Sequence, residues 1–146
     1  MTHLVVDASI VTKWLLPELH SDAARRILTE GNELLAPDLL WAELGNVLWK
    51  RYRAGEVAVE EARDLLRDFK RFPVRTTPSI RLISHALDIA TRFNRTVYDS
   101  LYLALAMSQR CRLVTADRRL YDSLKRSPFA PALLWVEDVS ERCGIR

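Results

Sequence analysis

His3-Leu4-Val5-Val6-Asp7-Ala8-Ser9 is the stretch on which the reading of this chain turns. A short apolar run containing two β-branched residues and closed by a carboxylate predicts a buried strand over 3–7. Ser9 to Leu16 then predicts a short helix stopped before Pro17. The same alternation continues outward. Leu34 to Ala36, Val74 to Thr76, Leu113 to Thr115 and Leu133 to Val136 predict further short strands. Between them, Ser21 can cap a helix to Glu30 that closes at Gly31-Asn32. Asp38 can cap a second helix, ended by Gly55. Val59 to Phe72 is amphipathic, with Ala62, Leu65, Leu66 and Phe69 on one face. Ser79 can cap a helix to Phe93, and Asp117 to Lys125 predicts another. Asp99 to Gln109 is apolar nearly all round, which predicts a central helix. Strands alternating with helices predict α/β architecture: a mainly parallel sheet of about four to five short strands flanked by about seven helices.

The bulk properties bound the class. The chain has 146 residues, expected as a single domain over 1–146, with 49% hydrophobic and 28% charged residues. No apolar run is long enough to span a bilayer, and Met1-Thr2-His3-Leu4 lacks the basic start of a secretory signal, so a cytoplasmic protein is expected. Cys111 and Cys143 have no metal-ligand spacing, which argues against zinc. The net charge is +3, carried by 18 Arg against 4 Lys. Arginine forks suit phosphate, but an arginine-rich genome would leave the same mark.

Four acids stand out. Asp7 ends the first strand, and ligands of open α/β sheets bind beyond strand carboxyl ends. It reads equally well as the cap of the next helix. Glu43 lies at the edge of an apolar stripe with Leu39, Leu40 and Val47, and only Lys50, two turns on, offers a charged partner. Asp99 and Asp117 each stand at a helix start, where a cap and an anion-tolerant site coincide. Ser9 and Thr115 are hydroxyls near Asp7 and Asp117, able to orient a carboxylate or a water, or simply to end a strand and start a helix. Two carboxylates ~5 Å apart at an effective dielectric of about 20 repel by about 3 kcal/mol. A gathered set therefore needs protons or a cation, and oxygen donors suit Mg²⁺ or Mn²⁺.

Taken in order, Val5-Val6-Asp7-Ala8-Ser9, Pro37 through Leu48, Tyr98 through Ala106 and Leu113-Val114-Thr115-Ala116-Asp117 resemble a PIN-domain ribonuclease. More narrowly, they resemble the toxin of VapBC toxin–antitoxin pairs, and the likeness covers essentially the whole chain. It implies a PIN-like fold with Asp7, Glu43, Asp99 and Asp117 as the catalytic, metal-holding quartet. It further implies Mg²⁺-dependent endonucleolytic cleavage of RNA, a structured RNA such as tRNA or rRNA. Mn²⁺ is the alternative ion. Water attack would leave a 5′-phosphate and a 3′-hydroxyl. Glu43 is left open between metal ligand and water-orienting group. Arg118 and Arg119 follow the last Asp where the family sometimes has a further acid or Asn, so the metal count stays open. The implied partners are a cognate VapB-like antitoxin and a second copy as homodimer. Trp14, Trp41 and Trp49, with Leu15, Leu44 and Leu48, are candidates to line the antitoxin groove, though plain core packing is the favoured reading for any one of them. Arg25, Arg26, Arg118 and Arg119 are candidate RNA contacts. His3, His20 and His85 are read as structural.

Other classes fit less well. A haloacid-dehalogenase-like phosphatase wants a second Asp where Ser9 stands, and a von Willebrand-type adhesion module wants Ser where Val11 stands. A receiver domain needs adjacent acids on its first strand. A flap-endonuclease-like DNA nuclease is the hardest of these to set aside, because it shares the metal chemistry, but its extra helical arch and DNA-binding motifs have no obvious place in 146 residues. A PIN-like nuclease acting outside a toxin–antitoxin pair, or an inert PIN module that only binds, are the remaining alternatives.

Overall fold

The structure is a computed structural model that describes residues 2–139. Cys143 therefore lies outside the described residues. Five strands, β1 (His3–Val6), β2 (Glu33–Pro37), β3 (Val74–Thr77), β4 (Arg112–Thr115) and β5 (Leu133–Trp135), form one sheet in the order β3-β2-β1-β4-β5. Every pairing is parallel. Val5 sits opposite Leu35 on one side and Leu113 on the other. All three are buried, as expected of central parallel strands covered on both faces. The fold is α/β, as the alternation predicts.

Among the described residues seven α-helices complete it: α1 (Ala8–Leu15), α2 (Ser21–Thr29), α3 (Leu39–Arg53), α4 (Val59–Phe69), α5 (Ser79–Phe93), α6 (Val97–Gln109) and α7 (Arg118–Leu124). Helix α1 packs on α2, α3 and α4, and α6 packs on α5 and on three strands, β1, β2 and β4. Ser100 to Ala106 of α6 are all buried, so the helix that is apolar all round is indeed central. No helix among the described residues is long and apolar enough to cross a membrane.

The winding order matters most for function. The chain steps outward from β1 to β2 and β3, then returns to place β4 on the other side of β1. At such a reversal the connections leave in opposite directions. A crevice then opens beyond the carboxyl ends of β1 and β4. Asp7 follows β1 directly, and Asp117 follows β4 by one residue.

Several helix starts differ from the sequence reading. Helix α1 begins at Ala8, capped by Asp7, whose side chain accepts from the Ile10 N–H. Ser21 and Ser79 are the first residues of their helices rather than their caps. His20 precedes α2 in the left-handed region at φ 69, and the Ser21 hydroxyl turns back to accept from the Glu18 N–H at 2.9 Å. Asp38 makes no side-chain cap for α3. It reaches instead to α5, accepting from the Ser79 N–H at 3.0 Å and from the Ser79 hydroxyl. Helix α6 starts at Val97, with Thr96 as cap accepting from the Asp99 N–H. Asp99 thus stands inside the first turn with its carboxylate released from capping. Helix α4 ends at Phe69, short of Phe72, whose ring packs on Trp14 at 4.9 Å.

Candidate active site

Asp7, Glu43, Asp99 and Asp117 all line one open cavity of about 460 Å³. They arrive by different routes: from the end of β1, the second turn of α3, the first turn of α6 and the segment after β4. Asp7 and Asp117 flank the reversal of the winding, and Glu43 and Asp99 reach the same cavity from α3 and α6.

Asp7 is the most constrained. It is 7% exposed. Ser9 Oγ donates to one carboxylate oxygen at 2.5 Å, and Thr115 Oγ1 donates to the other at 2.5 Å. The Ile10 N–H adds a third bond at 3.3 Å. The two hydroxyls also accept, Ser9 from the Ala116 N–H at 2.9 Å and Thr115 from the Asp117 N–H at 3.0 Å. A hydroxyl has one proton to give. With both protons on Asp7, the pair locks the carboxylate and laces the end of β1 to the end of β4. Burial nevertheless pushes the Asp7 carboxyl up to about 6. The hydrogen bonds from Ser9, Thr115 and Ile10 pull it down and the Asp117 charge pushes it up, but desolvation is the largest effect.

Glu43 finds a partner the sequence did not suggest. The Tyr102 hydroxyl, on α6, donates to Glu43 Oε1 at 2.5 Å. Lys50 forms no ion pair with Glu43. Burial raises the Glu43 carboxyl above its ordinary range; Tyr102 lowers it, and the charges of Asp7 and Asp99 raise it further. Tyr102 is itself held protonated, by burial first and by the adjacent Glu43 charge second. Asp99 is raised by burial, opposed by Arg95 and raised again by Asp117. The Arg95 guanidinium lies 3.6 Å from Asp99 and donates to Ser123 of α7 at 2.7 Å, so it spans the two helices that follow the site. Asp117 accepts from the Leu120 N–H at 3.2 Å as the cap of α7.

The donor set is all oxygen, and burial with mutual repulsion favours the protonated forms of Asp7, Glu43 and Asp99. A hard divalent cation would offset both effects, so the chemistry of these groups suits one. The side chains surround the cavity rather than closing on one point. Among the described residues no three acidic, His or Cys groups converge as a ready ligand cluster. Each carboxylate is turned to its own donor: Asp7 to Ser9 and Thr115, Glu43 to Tyr102, Asp99 to Arg95 and Asp117 to Leu120.

The candidate groove residues do not form the cavity wall. Trp14 is buried, its indole N–H donating to the Ala24 carbonyl at 2.9 Å. Leu44 and Leu48 are core, and Leu15 and Trp41 pack against it. Trp49 is 51% exposed, with the Arg53 guanidinium over its ring at 5.1 Å. None of the six lines the acidic cavity. Neither do Arg25, Arg26, Arg118 or Arg119. Arg25 lies near Asp22 at 3.5 Å and Arg26 near Glu137 at 3.8 Å. Arg118 stacks on Trp135 at 3.8 Å. The cationic lining is Lys13, Lys50 and Arg51 instead. The signal for the last two was present: from Glu43 they lie seven and eight residues on, hence on one helix face. No histidine lines the cavity. His3 pairs with Glu33 at 2.8 Å and His20 with Glu137 at 2.6 Å.

Comparison with known proteins agrees with this geometry. The PIN domain family matches residues 4–124. Ribonuclease VapC3 of Pyrobaculum aerophilum is 34% identical over 119 residues, 80% of this chain and 91% of that protein. Ribonuclease VapC1 of Mycobacterium tuberculosis is 36% identical over 121 residues, 82% of this chain and 90% of that one. A crystal structure of a Pyrobaculum aerophilum protein superposes with a TM-score of 0.69 at 28% identity, covering 99% of this chain and 98% of that one. VapBC2 of Rickettsia felis, solved on a promoter DNA fragment, shares the fold at a TM-score of 0.62 and 14% identity, covering 92% and 98%. A parallel sheet whose winding reverses beside a cavity lined by Asp7, Glu43, Asp99 and Asp117, matched along nearly its whole described length, places this chain in the PIN-domain family, among the VapC ribonucleases.

Proposed function

We propose that this protein is a metal-dependent endoribonuclease, the toxin of a type II toxin–antitoxin pair, with Mg²⁺ as cofactor and Mn²⁺ as a substitute. The observation that carries the reading is the meeting of Asp7, Glu43, Asp99 and Asp117 in one cavity at the winding reversal. The ribonuclease names of its VapC relatives support RNA as the substrate class. Asp7, Asp99 and Asp117 would hold the ion, with Glu43 as a further ligand or as the group that orients the attacking water. When bound, the ion supplies positive charge at the scissile phosphate and a more acidic water.

The chain's own residues then set the geometry. Ser9 and Thr115 fix both oxygens of Asp7, so that carboxylate is pre-positioned and loses little freedom on binding. Tyr102 holds Glu43 toward the cavity. No histidine lines the cavity to activate a 2′-hydroxyl, so hydrolysis by water is the route these side chains support. The products are a 5′-phosphate and a 3′-hydroxyl. The likeness to VapC ribonucleases supports a VapB-like antitoxin as partner, and a second copy as homodimer is part of the same proposal. Ile80, Ile83 and Leu87 on α5, with Tyr98 on α6, are exposed apolar side chains available to such partners.

The test is to incubate antitoxin-free protein with total RNA, in Mg²⁺ and in chelator, and to map new 5′ ends. Phosphorylated ends that appear only with Mg²⁺, and vanish with Asp7→Asn, are expected. Cutting that survives the chelator or the substitution sinks the reading.

A further inference from the structure

The cavity is electrically two-ended. Helix α3 lines it with Glu43, Asn46, Val47, Lys50 and Arg51. That spacing is one continuous helix face running from the acid end to the last two turns. At 1.5 Å per residue the stretch is about 12 Å long, more than one phosphodiester occupies. Helix α1 contributes Lys13 to the same far end. Glu18, which also lines the cavity, joins the two helices: Lys13 Nζ lies 2.9 Å from one of its oxygens and Arg51 Nη2 2.6 Å from the other. Arg51 also reaches Glu56 at 3.2 Å. Among the described residues Lys50 has no carboxylate within ion-pair distance, and it is exposed. Three cations thus line the far end against Glu18.

A wall of this kind beside a carboxylate cluster fits a chain of repeating negative charge. The acid end alone repels every phosphate. The basic end recovers attraction for phosphates flanking the one at the acids. Lys13 is only 12% exposed, and a nearly buried ammonium needs an anion. Glu18 meets that need while keeping Lys13 and Arg51 side by side. Lys50 remains free for a ligand.

We propose that Lys13, Lys50 and Arg51 are the seat for backbone phosphates flanking the scissile position of a single-stranded RNA, with Glu18 as the strut that positions two of them. The assignment rests on the ribonuclease reading for its substrate, yet it fails separately. The probe is a fluorescent decauridylate, bound to protein carrying Asp7→Asn in Mg²⁺ across a salt series. Adding Lys50→Ala weakens binding about tenfold and lowers the salt slope by about one. Lys13→Gln with Arg51→Gln weakens it further, while Lys70→Ala, just past the end of α4 and outside the cavity lining, changes nothing. An unchanged melting temperature for Lys50→Ala shows that the effect is local. In the active protein Lys50→Ala raises KM and spares kcat. Wild-type affinity and salt slope in the Lys50→Ala and Lys13→Gln/Arg51→Gln variants overturn the seat, even if Mg²⁺-dependent cleavage stands. Weakened binding with no cleavage by the active protein keeps the seat and removes the ribonuclease reading. Equal displacement of the probe by decaglutamate assigns the wall to an acidic protein partner and overturns the RNA seat.

Discussion

Asp7 and Asp38 occupy the same kind of place, and only Asp7 enters the cavity. Each follows a buried strand of the sheet and precedes a helix. Asp7 is buried, caps its own helix and is held by two hydroxyls from opposite sides of the winding reversal. Asp38 is exposed, leaves its own helix uncapped and spends its carboxylate on Ser79 at the start of α5. The difference lies in the neighbours. The strand before Asp7 is flanked by β2 and β4, whose connections depart in opposite directions. The strand before Asp38 is flanked by β1 and β3, and β3 feeds α5 straight across it. A strand-end aspartate becomes a site when the topology leaves a gap above it, and a brace when the next connection fills that gap.

That contrast can be broken most directly by activity. Asp7→Asn should lower RNA cleavage by at least about 10³-fold, roughly 4 kcal/mol of transition-state stabilisation. Asp38→Asn should stay within about twofold in the same assay. Comparable losses at both positions would erase the distinction.

Stability sharpens it next. Asp7 holds its proton more tightly when folded, near 6, than at its ordinary value of 3.8. Between those values the native state binds more protons, so this contribution to stability is full below about pH 4 and is lost as pH rises through about 6. The loss is about 3 kcal/mol at its largest. Urea unfolding in chelator should show Asp7→Asn gaining on wild type between pH 4 and pH 7.5. A constant difference between the two proteins would show that Asp7 does not titrate as its burial implies.

Metal linkage gives a slightly smaller effect. Mg²⁺ at a hundred times its dissociation constant should stabilise wild type and Asp38→Ala by about 2.7 kcal/mol. Asp7→Asn should respond far less. A melting curve indifferent to Mg²⁺ in wild type would detach the acids from metal. Smallest is the brace itself: Asp38→Ala should cost about 1 kcal/mol through the lost cap on α5, with cleavage intact. If urea unfolding finds no cost, the Asp38–Ser79 contact is idle.

The sequence made much of this legible for local reasons. A short apolar run closed by an acid reads as strand then cap without knowledge of anything distant, and β1, β2, β4 and the acids at their ends follow from it. Even the local reading slipped where two good caps compete, as at Thr96 over Asp99, since both side chains satisfy an orphan N–H equally well. The partner of Glu43 was not legible, because Tyr102 lies 59 residues away and meets it only through the packing of α6 under the sheet. Trp14 and Leu44 took the core place favoured for each of them over the groove, although aromatic and apolar residues near an acid can face either, and only the helix's rotation about its axis decides.

By itself, then, the amino-acid sequence determined the alternation of strands and helices and the chemical kind of each candidate group, because hydrophobic period and capping act over a few residues. The tertiary structure alone decided that Glu18 joins the cavity of the four implied acids, that burial lifts Asp7 toward 6, and that Lys13, Lys50 and Arg51 face the same space. Those properties belong to distances and dielectric between segments far apart in the chain, and they exist only once the strands have taken their order.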